Sequence, residues 1–137
     1  MSIKENKALI RRAYELMNRR ELDAYFELLS PDYIEHHTTM GDSSLEQIIQ
    51  GVPTFFTAFP DIHATIEDML AEGDRVAIRV IWRGTHKGDF MGIAPTGNKI
   101  EMTNTAIFRI ADGKWAETWA TTDDLRLMQQ LGVIPKQ

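Results

Sequence analysis

The spacing of apolar residues changes once along this chain, near residue 61, and this change limits the folds that the chain can adopt. Before it, apolar residues recur at three- and four-residue steps, as on one face of a helix. After it they alternate with polar residues, as in half-buried strands; one such run is Val76, Ile78, Val80 and Trp82. Helices followed by consecutive strands predict an α+β domain, with the helices packed against one face of a mostly antiparallel sheet.

Proline and serine mark the ends of the predicted helices. The first half is expected to contain three helices, at about residues 4–19, 22–29 and 45–59. Ser43 or Ser44 is expected to cap the third helix. Pro31 ends the second, because the residue before a proline avoids the helical region. Pro53 predicts a kink or a restart inside the third, since proline lacks a backbone donor. Four other segments are expected to be an extended stretch (32–37), a loop (41–44), a loop or irregular strand (84–98) and a short closing helix (124–131).

The composition argues against several classes of function. The chain has 137 residues, which favours one domain spanning residues 1–137. It contains no cysteine, so disulfides, zinc–thiolate sites and cysteine nucleophiles are excluded. Its net charge of −5, without a basic block, argues against a nucleic-acid partner. No segment has the apolar length of a signal peptide or a membrane helix, so we expect a cytoplasmic protein with no membrane partner.

Motifs for nucleotide, serine-nucleophile and metal chemistry are missing from the sequence. There is no G-x-G-x-x-G segment, no P-loop and no G-x-S-x-G. His36, His37 and His86 lack i, i+4 spacing, and adjacent histidines on a strand point to opposite faces, so no metal site is expected. Asp68 and Arg79 are expected to form a structural ion pair across the turn at residues 73–74.

The last hairpin predicts a face that is both apolar and polar. A two-residue turn at Asp112-Gly113 sets the strand pairing. The predicted pairs are Ile110–Trp115, Phe108–Glu117, Ala106–Trp119, Asn104–Thr121 and Met102–Asp123, and their side chains share one face. Apolar walls with a few polar groups are typical of a ligand pocket, so Asn104, Glu117 and Trp119 are expected to bind a substrate. The alternatives are a register slip by one residue and polar residues at a solvated rim.

Asp123 is the candidate catalytic residue at the end of this hairpin. On the predicted face it lies against Trp119, where desolvation favours the protonated form of a carboxyl group and suits it to acid–base catalysis. The alternative is that Asp123 or Asp124 only caps the closing helix. Two consecutive aspartates allow one of them to cap the helix while the other points inward.

Seven short segments match one known family in the same order along the chain. They are Asn6–Arg12, Ser30–His36, Ala58–Asp61, Gly84–Gly88, Pro95–Gly97, Phe108–Lys114 and Gln129–Gly132. Together they resemble the SnoaL-like polyketide cyclase family of the nuclear transport factor 2-like superfamily. The resemblance implies a cone-shaped α+β barrel, in which three N-terminal helices pack in a curved sheet around an apolar pocket. It also implies a homodimer and a reaction without cofactor or metal.

The resemblance extends to individual residues. It implies that an aspartate four residues after a tryptophan is the general acid/base, and Trp119 and Asp123 have this spacing. Tyr14 and His36 fall on positions where the resemblance implies pocket residues. The alternative for Tyr14 is that its ring packs in the core, and the alternative for His36 is a position on the surface. Trp82, Phe90 and Met91 complete the expected substrate-binding set. Phe90 and Met91 are expected either at the lip of the pocket or at a dimer contact.

The implied reaction is an intramolecular aldol-type ring closure of a small hydrophobic or aromatic polyketide-like compound. Two alternatives stay open: an isomerase or hydrolase that uses the same carboxylate, and a non-catalytic protein of this fold that binds a hydrophobic ligand. Two departures from the family leave the substrate undetermined. Ala120 stands where many relatives carry an acidic residue, and Pro53 interrupts the third helix.

Overall fold

The computed structural model describes residues 2–135, which form four helices and six strands. The helices are α1 (Ile3–Asn18), α2 (Leu22–Glu27), α3 (Leu45–Ala58) and α4 (Asp124–Gln130). The strands are β1 (Leu29–His37), β2 (Gly41–Ser44), β3 (His63–Glu72), β4 (Arg75–Thr85), β5 (Lys99–Ala111) and β6 (Lys114–Thr122). None of the helices within residues 2–135 has the length and apolar character needed to cross a bilayer.

The strands form one sheet in the order β2-β1-β6-β5-β4-β3. Strands β1 and β6 are parallel, and the other neighbouring pairs are antiparallel. Helices α1 and α3 pack against the sheet, α1 on β3 and β4 and α3 on β1 and β2. The predicted α+β cone, with a mostly antiparallel sheet and a short closing helix, is confirmed.

The sheet has two faces that differ in burial. We call the face toward α1 and α2 the inner face and the opposite one the outer face. Buried inner-face side chains of β4 and β5 pack with α1 in the main core: Val76, Ile78, Val80, Ala106 and Phe108. A second core cluster lies where β5 begins and α3 and α4 end, and includes Phe59, Ile62, Met102 and Leu131.

Helix α3 forms as one element and begins at the predicted cap. The Ser44 hydroxyl accepts the Gln47 backbone N–H at 3.3 Å, and the Gln47 side chain binds back to the Ser44 N–H at 2.8 Å. The expected restart at Pro53 is wrong, because the helix runs unbroken from Leu45 to Ala58. Apolar side chains before and after the proline, Ile48 and Phe56, pack on the same core and hold both halves in place.

One short segment, residues 41–44, differs from the sequence prediction. Residues 41–44, expected to be a loop, form the edge strand β2 and pair with β1. Their side chains are polar and mostly exposed, so the segment has no alternation of apolar residues to reveal a strand. The ion pair between Asp68 and Arg79 is confirmed, with Arg79 Nε 2.7 Å from Asp68 Oδ2.

The β5–β6 hairpin has the predicted turn but not the predicted register. Asp112 and Gly113 have φ of 51° and 72°, as a two-residue hairpin turn requires, and Ile110 faces Trp115. The register then shifts, so that Arg109 faces Glu117 and Phe108 faces Thr118. The extra residue is Ala116, in a β-bulge.

This bulge reverses the faces of the rest of β6. Its inner side chains are Thr118, Ala120 and Thr122, and its outer ones are Glu117, Trp119 and Thr121. The predicted pairs Phe108–Glu117, Ala106–Trp119 and Asn104–Thr121 are wrong, as is the pair Met102–Asp123, since Asp123 lies beyond the end of β6. The predicted single face that joins Asn104 to Glu117 and Trp119 does not exist.

Candidate active site

Aromatic side chains from the helices and the sheet form the walls of the cone interior. The Tyr14 ring from α1 lies 6.1 Å from the Trp82 ring and 6.4 Å from the Phe108 ring, centroid to centroid. Phe55 from α3 lies 5.9 Å from Trp82, edge to face. Tyr14 is buried in the main core, as its alternative predicted, and Trp82 packs against that core. Within residues 2–135 the Tyr14 hydroxyl has no hydrogen-bond partner, so it is free to donate to a ligand.

A chain of hydrogen bonds runs along the inner face to a carboxylate. Trp115 Nε1 donates to Thr118 Oγ1 at 2.7 Å, and the Tyr33 hydroxyl lies 2.7 Å from the same oxygen. The Tyr33 hydroxyl also lies 3.3 Å from Glu35 Oε1. The Tyr33 hydroxyl can donate only one hydrogen bond, and the ionised Glu35 carboxylate can only accept one, whereas the Thr118 hydroxyl can donate or accept. The consistent arrangement is Thr118 donating to Tyr33 and Tyr33 donating to Glu35.

Glu35 is a carboxylate held among phenol rings. It lies mostly buried on the same strand face as Tyr33, and its charge is close enough to raise the pKa of Tyr14, Tyr25 and Tyr33. Burial raises the pKa of Glu35 above its ordinary value, while the nearby His37 and the Tyr33 hydrogen bond act in the opposite direction. A partly buried carboxylate with a raised pKa and no cation in contact is a candidate functional group.

Sequence reasoning did not single out Glu35. The available signal was the predicted extended segment 32–37, in which Tyr33, Glu35 and His37 share one face by alternation. The parallel pairing with β6 places Glu35 beside Thr118 and so turns that face inward. Because this pairing joins segments distant in sequence, no local pattern could reveal it.

His37 is fixed at the end of β1 by its neighbours. Its Nδ1 accepts the backbone N–H groups of Thr39 and Met40 at 3.1 and 3.0 Å. Its Nε2 therefore carries the proton and donates to Thr122 Oγ1 at 3.1 Å. The Thr122 hydroxyl donates in turn to Asp124 Oδ1 at 2.6 Å, and Thr39 Oγ1 binds the other Asp124 oxygen. Asp124 is thus tied to the inner-face residue Thr122.

Asp123 caps helix α4. Its Oδ1 accepts the Arg126 backbone N–H at 3.1 Å, and the residue is exposed. The expected desolvation of Asp123 against Trp119 is wrong, because the bulge at Ala116 changes the face of Trp119. The capping alternative is confirmed. Asp123 caps the helix, and Asp124 instead accepts the hydrogen bond from Thr122.

Three other predicted pocket residues lie at this end of the cone. Asn104 is buried on the inner face, and its amide nitrogen donates to the Thr121 carbonyl at 3.1 Å. Phe90 packs on Phe55 and Phe59, with centroids 6.2 and 5.2 Å apart. Met91 is 61% exposed, next to Phe90 in the 86–98 loop. Phe90 therefore belongs to the second core cluster, and Met91 projects from it.

The other predicted residues lie on the outer face, outside the cone. His36 Nε2 donates to Glu117 Oε2 at 2.6 Å, and its Nδ1 to Asp42 Oδ1 at 2.9 Å. Its ring stacks on Trp119 at 5.5 Å. These bonds to Glu117 and then Asp42 raise the pKa of His36, and His36 and Arg109 lower the pKa of Glu117. The expected place of His36, Glu117 and Trp119 in the cone pocket is wrong.

The outer face nevertheless has a groove of its own. A cavity of about 560 Å³ lies there and is open to solvent. Its wall includes His36, Leu70, Ala77, Ile107 and Trp119. This groove is therefore separate from the aromatic residues and Glu35 on the inner face.

The fold and the interior define a class of protein: a small α+β cone that holds a carboxylate and aromatic rings between helices and a curved sheet. A family model for SnoaL-like polyketide cyclases matches residues 7–131. The chain therefore belongs to the SnoaL-like polyketide cyclase family.

Solved structures agree with this assignment. AclR from Streptomyces galilaeus, a proposed hydroxylase, matches with a TM-score of 0.91 and 31% identity over 99% of this chain and 86% of that chain. IdmH from Streptomyces antibioticus, a proposed polyketide cyclase, matches with a TM-score of 0.83 and 33% identity over 93% and 99%. A SnoaL-like protein from Jannaschia sp. shares the fold, with a TM-score of 0.86 at 23% identity over 98% and 97%. No functionally curated protein matches the chain.

Proposed function

We propose that this protein is a cofactor-independent enzyme of the polyketide cyclase type. Its substrate is a small apolar or aromatic compound with several carbonyl groups. A carboxylate removes a proton next to one carbonyl, and the resulting enolate carbon attacks a second carbonyl of the same molecule. The alkoxide that forms takes up one proton, so the ring closes without an oxidant, a reductant or a metal.

The interior of the cone is the observation that carries this proposal. It combines aromatic walls, which suit an apolar substrate, with the unpartnered hydroxyl of Tyr14, which suits a developing enolate oxygen. Burial and the Glu35 charge raise the pKa of Tyr14, so this phenol stays protonated and remains a donor. Holding both reacting carbonyls together can lower the barrier by up to roughly 7–11 kcal/mol.

Asp123, which precedes helix α4, is the base in this proposal. The family spacing after Trp119 supports this role, and only one of its oxygens is used by the helix cap. Asn104, on the inner face of β5, supplies a second polar group. His36 takes no part, because it lies on the outer face.

The test uses a synthetic aryl triketone ester and follows ring closure by liquid chromatography with mass detection. The wild-type protein is expected to give a cyclic isomer, or the product less one water. Asp123→Asn and Asp123→Ser both keep a capping side chain and remove the base. Loss of turnover at unchanged melting temperature supports the role of Asp123. Full turnover in both variants assigns the base elsewhere, and no product with the wild-type protein contradicts the cyclase.

A non-catalytic protein that binds a hydrophobic ligand is the second candidate. The exposed, helix-capping position of Asp123 favours it, because that carboxylate is not desolvated. The pH dependence of turnover separates the two. A catalytic carboxylate gives a rate that rises as it ionises, whereas a binding protein gives ligand affinity but no turnover at any pH.

We also propose that the protein forms a homodimer through its outer face. No helix within residues 2–135 covers this face, and Leu70 and Ile107 are 72% and 43% exposed there. The charged residues beside them are already paired within the chain, Arg79 with Asp68 and Arg109 with Glu117. An apolar stripe between neutralised charge pairs suits a second copy of the same surface better than a partner of one charge sign.

A further inference from the structure

One partly buried acidic group takes no part in the steps assigned above to Asp123. Glu35 lies on the inner face of β1, and no basic side chain within residues 2–135 forms an ion pair with it. A partly buried carboxylate without a paired cation lowers the stability of a fold when lost solvation outweighs its favourable contacts, and the raised pKa of Glu35 has this sign. We therefore expect the Glu35 carboxylate to have a role other than stabilising the fold.

The surroundings of Glu35 fix its orientation. The Tyr33 hydroxyl holds Oε1 at 3.3 Å, and Tyr33 is itself held by Thr118, which accepts Trp115 Nε1. The T-shaped contacts of Tyr33 and Tyr25 with the Trp115 ring, at 5.6 and 5.9 Å, immobilise this group further. This series of hydrogen bonds ends at Glu35. The second carboxylate oxygen of Glu35 has no protein partner within residues 2–135 and is free to accept a proton.

The groups around Glu35 are suited to hold a carbonyl compound. Its titratable neighbours are Tyr14 from α1, Tyr25 from α2, and Tyr33 and His37 from β1; Thr118 from β6 is uncharged. The three phenols stay protonated because burial and the Glu35 charge raise their pKa values. A carboxylate beside neutral phenol donors provides a base and oxyanion donors in one place.

We infer that Glu35 is a second catalytic carboxylate, which transfers protons to and from the part of the substrate that enters the cone. This inference rests on the proposed cyclase function. The free Glu35 oxygen takes the proton from the carbon next to a carbonyl, and the C–H electron pair passes into the enolate. After the enolate carbon bonds to the second carbonyl carbon, the same carboxyl group returns the proton to the new alkoxide. Atoms and charge balance without a co-reactant.

Glu35 and Asp123 act on different parts of a substrate. Glu35 pairs in register with Thr118, and Asp123 follows five residues later on the same strand line. At about 3.3 Å per residue, the two positions are about 16 Å apart along β6. A short ketone that fills the interior therefore depends on Glu35 alone, and an extended polyketone can meet both carboxylates.

The test is exchange of solvent deuterium into 2-tetralone, a bicyclic aromatic ketone, followed by proton NMR. The wild-type protein is expected to accelerate exchange at the carbon next to the carbonyl above the buffer rate. Glu35→Gln is expected to lower this acceleration at least tenfold, because glutamine keeps the shape and the Tyr33 hydrogen bond but cannot take the proton. Glu67→Gln, an exposed glutamate on β3, is the matched control and is expected to exchange like the wild type.

Two further results keep the outcomes distinct. Unchanged exchange in Glu35→Gln, or no acceleration by the wild-type protein, overturns the role of Glu35 and leaves the triketone assay of the cyclase untouched. Tyr33→Phe is expected to lower exchange less than Glu35→Gln, with normal far-UV circular dichroism, because the carboxylate is still present but less well oriented.

Discussion

Glu35 and His36 are neighbours in the sequence and lie on opposite faces of the sheet. Glu35 is held by Tyr33 inside the cone, whereas His36 is held by Glu117 and Asp42 outside it. Both ring nitrogens of His36 face carboxylates, so its protonated form is favoured. The histidine of the family motif therefore belongs to an ion-pair cluster on the outer face, and the glutamate before it faces the interior.

Removing the Glu117 charge is expected to lower the pKa of His36. Glu117→Gln deletes the first of the two carboxylates that raise it and leaves Asp42. NMR titration of the His36 imidazole measures the change, and Asp32→Asn, an exposed carboxylate, is the control. A His36 pKa that is the same in Glu117→Gln and the wild type contradicts the ion pair.

The same pair predicts a window of pH in which it stabilises the protein. The raised pKa of His36 gives stability that is present below its ordinary pKa of 6.5 and is lost as pH rises through the folded-state value. The lowered pKa of Glu117 gives stability that is present above its ordinary pKa of 4.5 and is lost as pH falls through the folded-state value. The cost of Glu117→Gln in urea unfolding is therefore expected to be largest between these limits and smaller at pH 9, where Arg109 still pairs with Glu117 but His36 is neutral.

The candidate site shows what local sequence patterns can predict. The extended segment 32–37 and the turn at Asp112-Gly113 were predictable, because both depend on neighbouring residues. The inward face of Glu35 was not, since it depends on pairing with β6. The bulge at Ala116 was not either, because turn chemistry sets only the first pair of a hairpin. Its one local sign is that the adjacent residues Trp115 and Ala116 are both apolar and both buried.

Glu35→Gln is expected to stabilise the protein at neutral pH. Burial raises the pKa of Glu35, so the folded state holds its proton more tightly than the unfolded state. As pH rises through the ordinary pKa of 4.5, Glu35 of the unfolded chain ionises first, and the wild type loses stability until the folded-state pKa is passed. Each unit of raised pKa is worth about 1.4 kcal/mol.

Urea unfolding at several pH values measures this gain. The variant and the wild type are expected to have similar stability at pH 4, with the variant ahead at pH 7. A gain that does not change with pH would mean that packing rather than charge burial separates the two proteins. Together with the exchange assay, a variant that is more stable and less active identifies a residue kept for function.

Alanine substitutions at two glycines, Gly73 and Gly51, test the effect of backbone conformation on stability. A Cβ at Gly73 or at Gly51 would meet no atom within 4 Å, but Gly73 has φ of 58° and Gly51 lies inside α3. Gly73→Ala is expected to lower stability by about 1 kcal/mol, because an L side chain disfavours the left-handed region. Gly51→Ala is expected to raise it by about 0.5–1 kcal/mol, since alanine favours helix. Thermal unfolding measures the stability of both variants. A loss of stability in both would show that side-chain contacts rather than backbone conformation determine the effect.

The outer face predicts that a single charge disrupts the proposed dimer. Leu70 is 72% exposed and borders the 560 Å³ groove beside Ile107 and Trp119, so an aspartate there would be desolvated between two copies. Leu70→Asp is expected to elute as a monomer by size-exclusion chromatography with light scattering, with unchanged circular dichroism. Leu125→Asp places the same charge at a 59% exposed leucine on α4, away from the sheet, and is expected to stay dimeric. A wild-type monomer at all concentrations, or monomers in both variants, contradicts an interface on this face.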